Sequence, residues 1–226
     1  MTPAPRIALI HATALAVDPI AAAFERHWPQ ARRMNLLDDS LSVDRAKAGQ
    51  LSDAMVQRFI DLAGYAKGTG CNAILFTCSA FGPAIEAAAQ AVQLPTLKPN
   101  EAMFGQALEQ CARSGGKLGL VATFQASIPS MSGELLQMAQ RRGVTVELRS
   151  VFVPQAMQDL AEGRADDHHR KVADAALQLA DCDVVMLAQF SMADALATVQ
   201  RQLSAPVLSS PDCAVLALRR KVADGL

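Results

Sequence analysis

The sequence predicts an α/β protein made of two pseudo-symmetric halves, each a mostly parallel sheet flanked by helices, with the active site in the cleft between them. Three observations lead there. Short apolar runs alternate with Ala-rich stretches of helical length, as in βαβ units. The chain matches itself without gaps at a shift of 111 residues, Ile7 falling on Leu118 (118 − 7 = 111). And 226 residues with 51% hydrophobic and 19% charged content can bury one substantial core, or two small ones.

Strands are expected at Arg6–Ile10, Arg33–Leu37, Asn72–Phe76, Pro95–Leu97, Lys117–Ala122, Val144–Leu148, Asp183–Leu187 and Pro206–Leu208. Helices are expected near 18–28, 50–66, 82–92, 101–113, 128–141, 166–180, 192–202 and 212–222. The apolar stretch Ile7–Val17 reads as a first strand and not as a secretory leader, because His11 and Thr13 interrupt it. Under the shift, Ile7-Ala8-Leu9-Ile10 lies on Leu118-Gly119-Leu120-Val121, and Cys71 to Phe76 on Cys182 to Leu187. Leu94-Pro95-Thr96-Leu97 lies on Ala205-Pro206-Val207-Leu208. The halves are therefore drawn at 1–98, with the C-terminal helix 209–226 packing back on it, and 99–208.

Composition excludes several functions. Lys plus Arg number 21 against 22 acids, a net charge of −1, so no basic field gathers nucleic acid. One Trp, one Tyr and eight Phe make no stacking platform for single strands. No apolar run approaches the roughly 18 residues of a membrane span. Five scattered cysteines are not a disulfide framework and point to a reduced, cytoplasmic protein. Asp166-Asp167-His168-His169 is not a metal motif, since adjacent histidines diverge by about 100° on a helix; it reads as a solvated first turn. Gly68-Thr69-Gly70-Cys71-Asn72-Ala73 fits a dinucleotide fingerprint by letter but leads into a strand instead of opening a helix.

Ligands of open α/β sheets bind beyond the carboxyl ends of the strands. A pseudo-twofold would set Thr77-Cys78-Ser79 on one wall of a cleft and Ala188-Gln189-Phe190 on the other, with Cys78 and Gln189 as equivalents. Cys78 occupies a strand-to-helix turn, where backbone amides and the positive helix end favour a thiolate. A buried cysteine at a strand end is also an ordinary packing residue.

Thr77-Cys78-Ser79-Ala80, Leu37-Asp38-Asp39-Ser40-Leu41 and Lys98-Pro99-Asn100-Glu101-Ala102-Met103 resemble motifs of the aspartate/glutamate/hydantoin racemase superfamily, which includes maleate isomerase and arylmalonate decarboxylase. The resemblance implies an isomerase that works without a cofactor or metal, by proton transfer at the carbon next to the carboxylate of a small amino acid or related acid. In that family two cysteines, one per half, serve the two faces of the substrate. Here Gln189 stands where the second is expected, and a carboxamide is no acid or base near neutral pH. One thiol leaves proton transfer by Cys78, attack on an unsaturated diacid, or decarboxylation of a malonate-like acid; a non-catalytic carboxylate-binding protein is the reading from another class.

Charge building on the substrate oxygens needs donors, for which Thr77, Ser79, Thr123, Ser191, nearby amides and Gln189 are candidates, with Ala80 and Phe190 lining the loops. Racemisation needs a second acid: His11, Asp38 or a water held by Gln189. Structural readings stand beside these. Thr123, Asp38, Ser40 and Ser191 can cap helices, the last one starting at Met192, and His11 can be a hydrogen-bonded core residue. The expected partner is a small carboxylate, with no nucleic acid and no membrane, and the Ala-rich helices leave room for a homodimer.

Overall fold

The computed structural model describes residues 4–114 and 116–224. The chain divides into two compact units, Met1–Pro99 with Pro211–Leu226, and Asn100–Ser210.

The first unit runs β1 (Arg6–His11), α1 (Val17–His27), β2 (Arg32–Leu37), α2 (Ser40–Ala48), α3 (Asp53–Gly68), β3 (Ala73–Phe76), α4 (Gly82–Val92) and β4 (Thr96–Leu97). The second runs α5 (Glu101–Ser114), β5 (Lys117–Ala122), α6 (Ile128–Arg141), β6 (Glu147–Phe152), α7 (Ala156–Ala161), α8 (Ala165–Ala176), β7 (Val184–Leu187), α9 (Leu196–Gln200) and β8 (Val207–Ser209). From Pro211 onward α10 (Ser210–Asp224) belongs to the first unit. It is tied there by Asp212, which accepts from Arg26 at 2.8 Å and meets His27 at 2.9 Å, and by Arg219, which donates to the His27 carbonyl.

Each unit holds a four-stranded parallel sheet, in the orders β2-β1-β3-β4 and β6-β5-β7-β8. The inner strands β3 and β7 are buried at every residue, as continuous apolar runs covered on both faces must be. The edge strand β2 carries charge at Arg32 and Arg33, which discourages pairing with another chain.

The gapless repeat appears in the hydrogen bonds. Asn72 N–H donates to Arg6 O at 2.8 Å, as Asp183 N–H does to Lys117 O at 2.9 Å. Ile74 N–H donates to Pro95 O at 2.9 Å and Val185 N–H to Pro206 O at 3.0 Å, so each coincident proline stands at the entry to a strand where its missing N–H costs nothing.

The second strand breaks the shift. Residues 144–148, expected to form it, give way to β6 three residues later. The helix α6 has 14 residues against 11 in α1, and the following loop is one residue longer, so β6 starts 115 residues after β2 (147 − 32 = 115). Val144 instead closes the end of α6, donating its N–H to Ala139 O at 3.0 Å. Two further differences are helices: α2 and α7 lie outside the expected helical stretches, and 192–202 is a 3₁₀ segment, Phe190–Ala195, continued by α9. The solvated reading of the Asp166–His169 turn also fails at His168, which is fully buried while both acids keep to the first turn of α8. No helix among the described residues is long and apolar enough to cross a membrane.

Candidate active site

The turn Thr77–Ala80 joins β3 to α4 and is fixed at both ends. Thr77 N–H donates to Ile10 O at 3.0 Å, extending the ladder of β1. On the far side Phe81, fully buried, packs on Phe59 of α3 with ring centroids 4.7 Å apart, and Phe59 stacks in turn on Phe76 at 5.3 Å. Pro83 in the first turn of α4 suits a helix start, where its missing donor is harmless. Sequence thus dictates a rigid strand–turn–helix with Cys78 at its centre.

Within the turn Thr77, Cys78, Ser79 and Ala80 are buried. Burial pushes the Cys78 thiol up to about 11; the Ala80 N–H, the Ser42 hydroxyl and the charge of Arg45 favour the thiolate without outweighing it. The expected thiolate at the helix N-terminus is thus a neutral thiol at physiological pH.

His11 ends β1 and is fully buried. Its Nδ1 lies 2.8 Å from Thr77 Oγ1 and its Nε2 3.0 Å from Asn35 Oδ1. A neutral ring with the proton on Nε2 satisfies both, donating to Asn35 and accepting from Thr77. Burial lowers the His11 pKa, against the bond to Asn35. The Thr77 hydroxyl therefore gives its proton to His11, the Ile10 carbonyl at 3.4 Å being the longer alternative.

Asp38 and Ser40 meet each other, the hydroxyl donating at 2.6 Å, and both meet Arg58 of α3, whose Nη2 is 2.5 Å from Asp38 Oδ2. Burial works against the Asp38 charge, but Ser40 and Arg58 prevail and hold its carboxyl below the ordinary value. The Asp38 carboxylate also accepts from the Ser40 N–H at the start of α2, while the N-cap residue itself, Asp39, makes no side-chain cap.

In the second unit the corresponding loops are locked by Gln189. Its Oε1 accepts from Thr123 N–H at 2.8 Å and Thr123 Oγ1 at 3.2 Å, and its Nε2 donates to Ser127 Oγ at 2.7 Å. Ser127 passes its own proton to Phe124 O at 2.7 Å. Thr123 is spent on Gln189 and does not cap a helix. Phe190 and Ser191 are buried in the 3₁₀ segment, so Ser191 lies inside the element it was expected to cap.

The structure thus brings together His11 with Thr77, Asp38 with Ser40, and Thr123 with Gln189. Sequence reasoning missed Ser42 and Arg45 beside Cys78, both on the unexpected helix α2, and it missed Asn35, Arg58 and Ser127 as partners. Leu41 and Arg45 lie four apart on one face of α2 and both are buried, but nothing in the sequence marks that face. A basic residue in a last helical turn ordinarily reads as solvated and dipole-compensating. The described residues contain no cluster of three or more metal-ligating side chains.

The sequence profile of the Asp/Glu/hydantoin racemases matches residues 7–218. No curated protein sequence matches. Among solved structures, a glutamate racemase of Bacillus anthracis superposes with a TM-score of 0.77 at 19% identity, covering 99% of this chain and 83% of that one. An allantoin racemase from Klebsiella pneumoniae gives 0.69 at 18%, covering 99% and 89%. A substitution variant of arylmalonate decarboxylase gives 0.63 at 18%, covering 98% and 95%. At these identities the likeness establishes the fold.

Proposed function

The chain belongs to the Asp/Glu/hydantoin racemase family, and on that premise we propose that it moves a proton at the carbon next to the carboxylate of a small amino acid or related acid, with Cys78 as the acid–base group and no cofactor. The observation that carries this is the buried, neutral thiol on a turn braced from both sides at the carboxyl end of β3.

The chemistry follows from that state. A neutral thiol donates a proton to an enediolate carbon and is left as thiolate; the thiolate takes the α-proton in the reverse sense. Burial brings the thiol pKa towards that of a carbon acid next to a carboxylate, which lessens the mismatch in the transfer. The charge that builds on the carboxylate oxygens calls for fixed donors, for which the Ser79 hydroxyl, next in the chain, is the candidate, the Ala80 N–H being turned to the sulfur itself. Thr77 is not such a donor, because its proton is given to His11. His11 acts through Thr77 as a positioning residue, both ring nitrogens being engaged. Asp38, held ionised by Arg58, is no acid near neutral pH.

The same neutral thiol favours a second reading, decarboxylation of a malonate-like acid, in which one proton is delivered once and no base is needed. One experiment separates the readings. Aspartate, glutamate, allantoin, hydantoins and substituted malonates are incubated in deuterated water and followed by NMR and chiral chromatography. Deuterium at the α-carbon with inversion supports the racemase, and carbon dioxide release with one deuterium retained supports the decarboxylase. Loss of either in Cys78→Ser fixes the thiol, whereas turnover undiminished in Cys78→Ala overturns its assignment.

A further inference from the structure

Helix α2 sets a second polar side chain against the cysteine turn. Its C-terminus is ended by Gly49 in the left-handed conformation, φ 68°, and Arg45 in its last turn points inward, 8% exposed. Arg45 Nε reaches Ala80 O at 3.4 Å, two residues beyond Cys78, and its Nη1 is buried with no hydrogen-bond partner.

The guanidinium has no counterion among the described residues. Of the acids nearest in sequence, Asp38 and Asp44 pair with Arg58, at 2.5 and 2.8 Å, and no ion pair joins Asp39 to Arg45 among the described residues. A buried cation without an anion is costly, and it is retained where a ligand supplies the missing charge. The guanidinium fork matches a carboxylate in shape and charge better than any other side chain does. Cys78 leaves this demand unmet at rest, being uncharged.

We infer that Arg45 anchors a carboxylate of the substrate beside Cys78, its free Nη1 donating to one carboxylate oxygen. The inference rests on the reading of Cys78 as the reacting thiol. It makes the preferred substrates anionic acids and disfavours neutral ring amides.

The test needs no known substrate. Wild-type protein and Arg45→Met are treated with iodoacetate or iodoacetamide, and modification of Cys78 is followed by peptide mass spectrometry, which separates it from Cys71, Cys111, Cys182 and Cys213. Both reagents consume the same thiolate, so the ratio of their rates cancels the thiolate population and reports preference for a carboxylate. Relative to free cysteine, wild type is expected to favour iodoacetate. Arg45→Met lowers the ratio about tenfold or more, as expected for a lost charge-assisted contact, and Arg45→Lys lowers it less. Should Arg45→Met not fold, succinate protecting wild-type Cys78 from iodoacetamide at millimolar concentration, and less so at high salt, supports the site. A ratio unchanged in Arg45→Met, or no preference and no protection in wild type, overturns it. These outcomes are independent of whether Cys78→Ser abolishes deuterium exchange, so either proposal can fail alone.

Discussion

Replacing Gln189 by Leu keeps the volume of the side chain and removes the bonds that hold two loops of the second unit. Thr123, 4% exposed, then has neither acceptor for its N–H nor for its hydroxyl, and Ser127, fully buried, loses a donor. A lost hydrogen bond costs about 1 kcal/mol, and an orphaned buried N–H about 1–3 kcal/mol, which together give a destabilisation of roughly 2–4 kcal/mol. With a urea m-value of about 2 kcal/mol per molar, the midpoint falls by about 1–2 M. Far-UV circular dichroism in urea measures the shift, and hydrogen exchange at the Thr123 amide locates it. Gln189→Glu, which keeps an acceptor for Thr123, loses less. A midpoint moved by under about 0.3 M, with the Thr123 amide still protected, refutes the view of Gln189 as a clamp.

Two other outcomes follow from buried titratable groups. Alkylation of Cys78 by iodoacetamide at pH 8 is expected to run about a hundredfold below that of a thiol of pKa 9.0, rising about tenfold per pH unit to about pH 11; a plateau below pH 9 contradicts it. His168 is buried with neither ring nitrogen partnered, and desolvation, then its neighbour His169, lower its pKa from 6.5 to about 4, against Asp159 and Asp194. The unfolded chain binds this proton first, so its contribution to stability is intact above pH 6.5 and is lost as pH falls towards 4, by about 3 kcal/mol in all. His168→Leu flattens the urea midpoint across that window; an undiminished slope argues against the residue as its source.

Three strands of each half were legible because they are short apolar runs at one gapless spacing, two of them with the same punctuation in both halves, Pro95 with Pro206 and Cys71 with Cys182. β6 was misplaced because Val144, Val146 and Leu148 alternate as a strand does, while the extra residues of α6 are invisible in a pattern that stays helical throughout. Cys78 could be found from its place in the repeat. Arg45 could not, since helix α2 mixes charge with small residues and shows only two buried side chains, Leu41 and Arg45. Which partner a polar group takes, as with Gln189 and Thr123 or His11 and Asn35, depends on loops that no periodicity describes.

The return of the chain through α10 makes the first unit discontinuous in sequence, while Asn100–Ser210 is contiguous. On a ribosome, the unit translated later can therefore be the first to complete its own set of contacts. The earlier one waits for Ala214, Val215 and Leu218, all buried, and for the carboxylate of Asp212 that holds Arg26. Until those residues emerge, the strand β3 that leads into the Cys78 turn belongs to an unfinished core, and a nascent chain stalled before residue 211 carries an open apolar face for chaperones to cover.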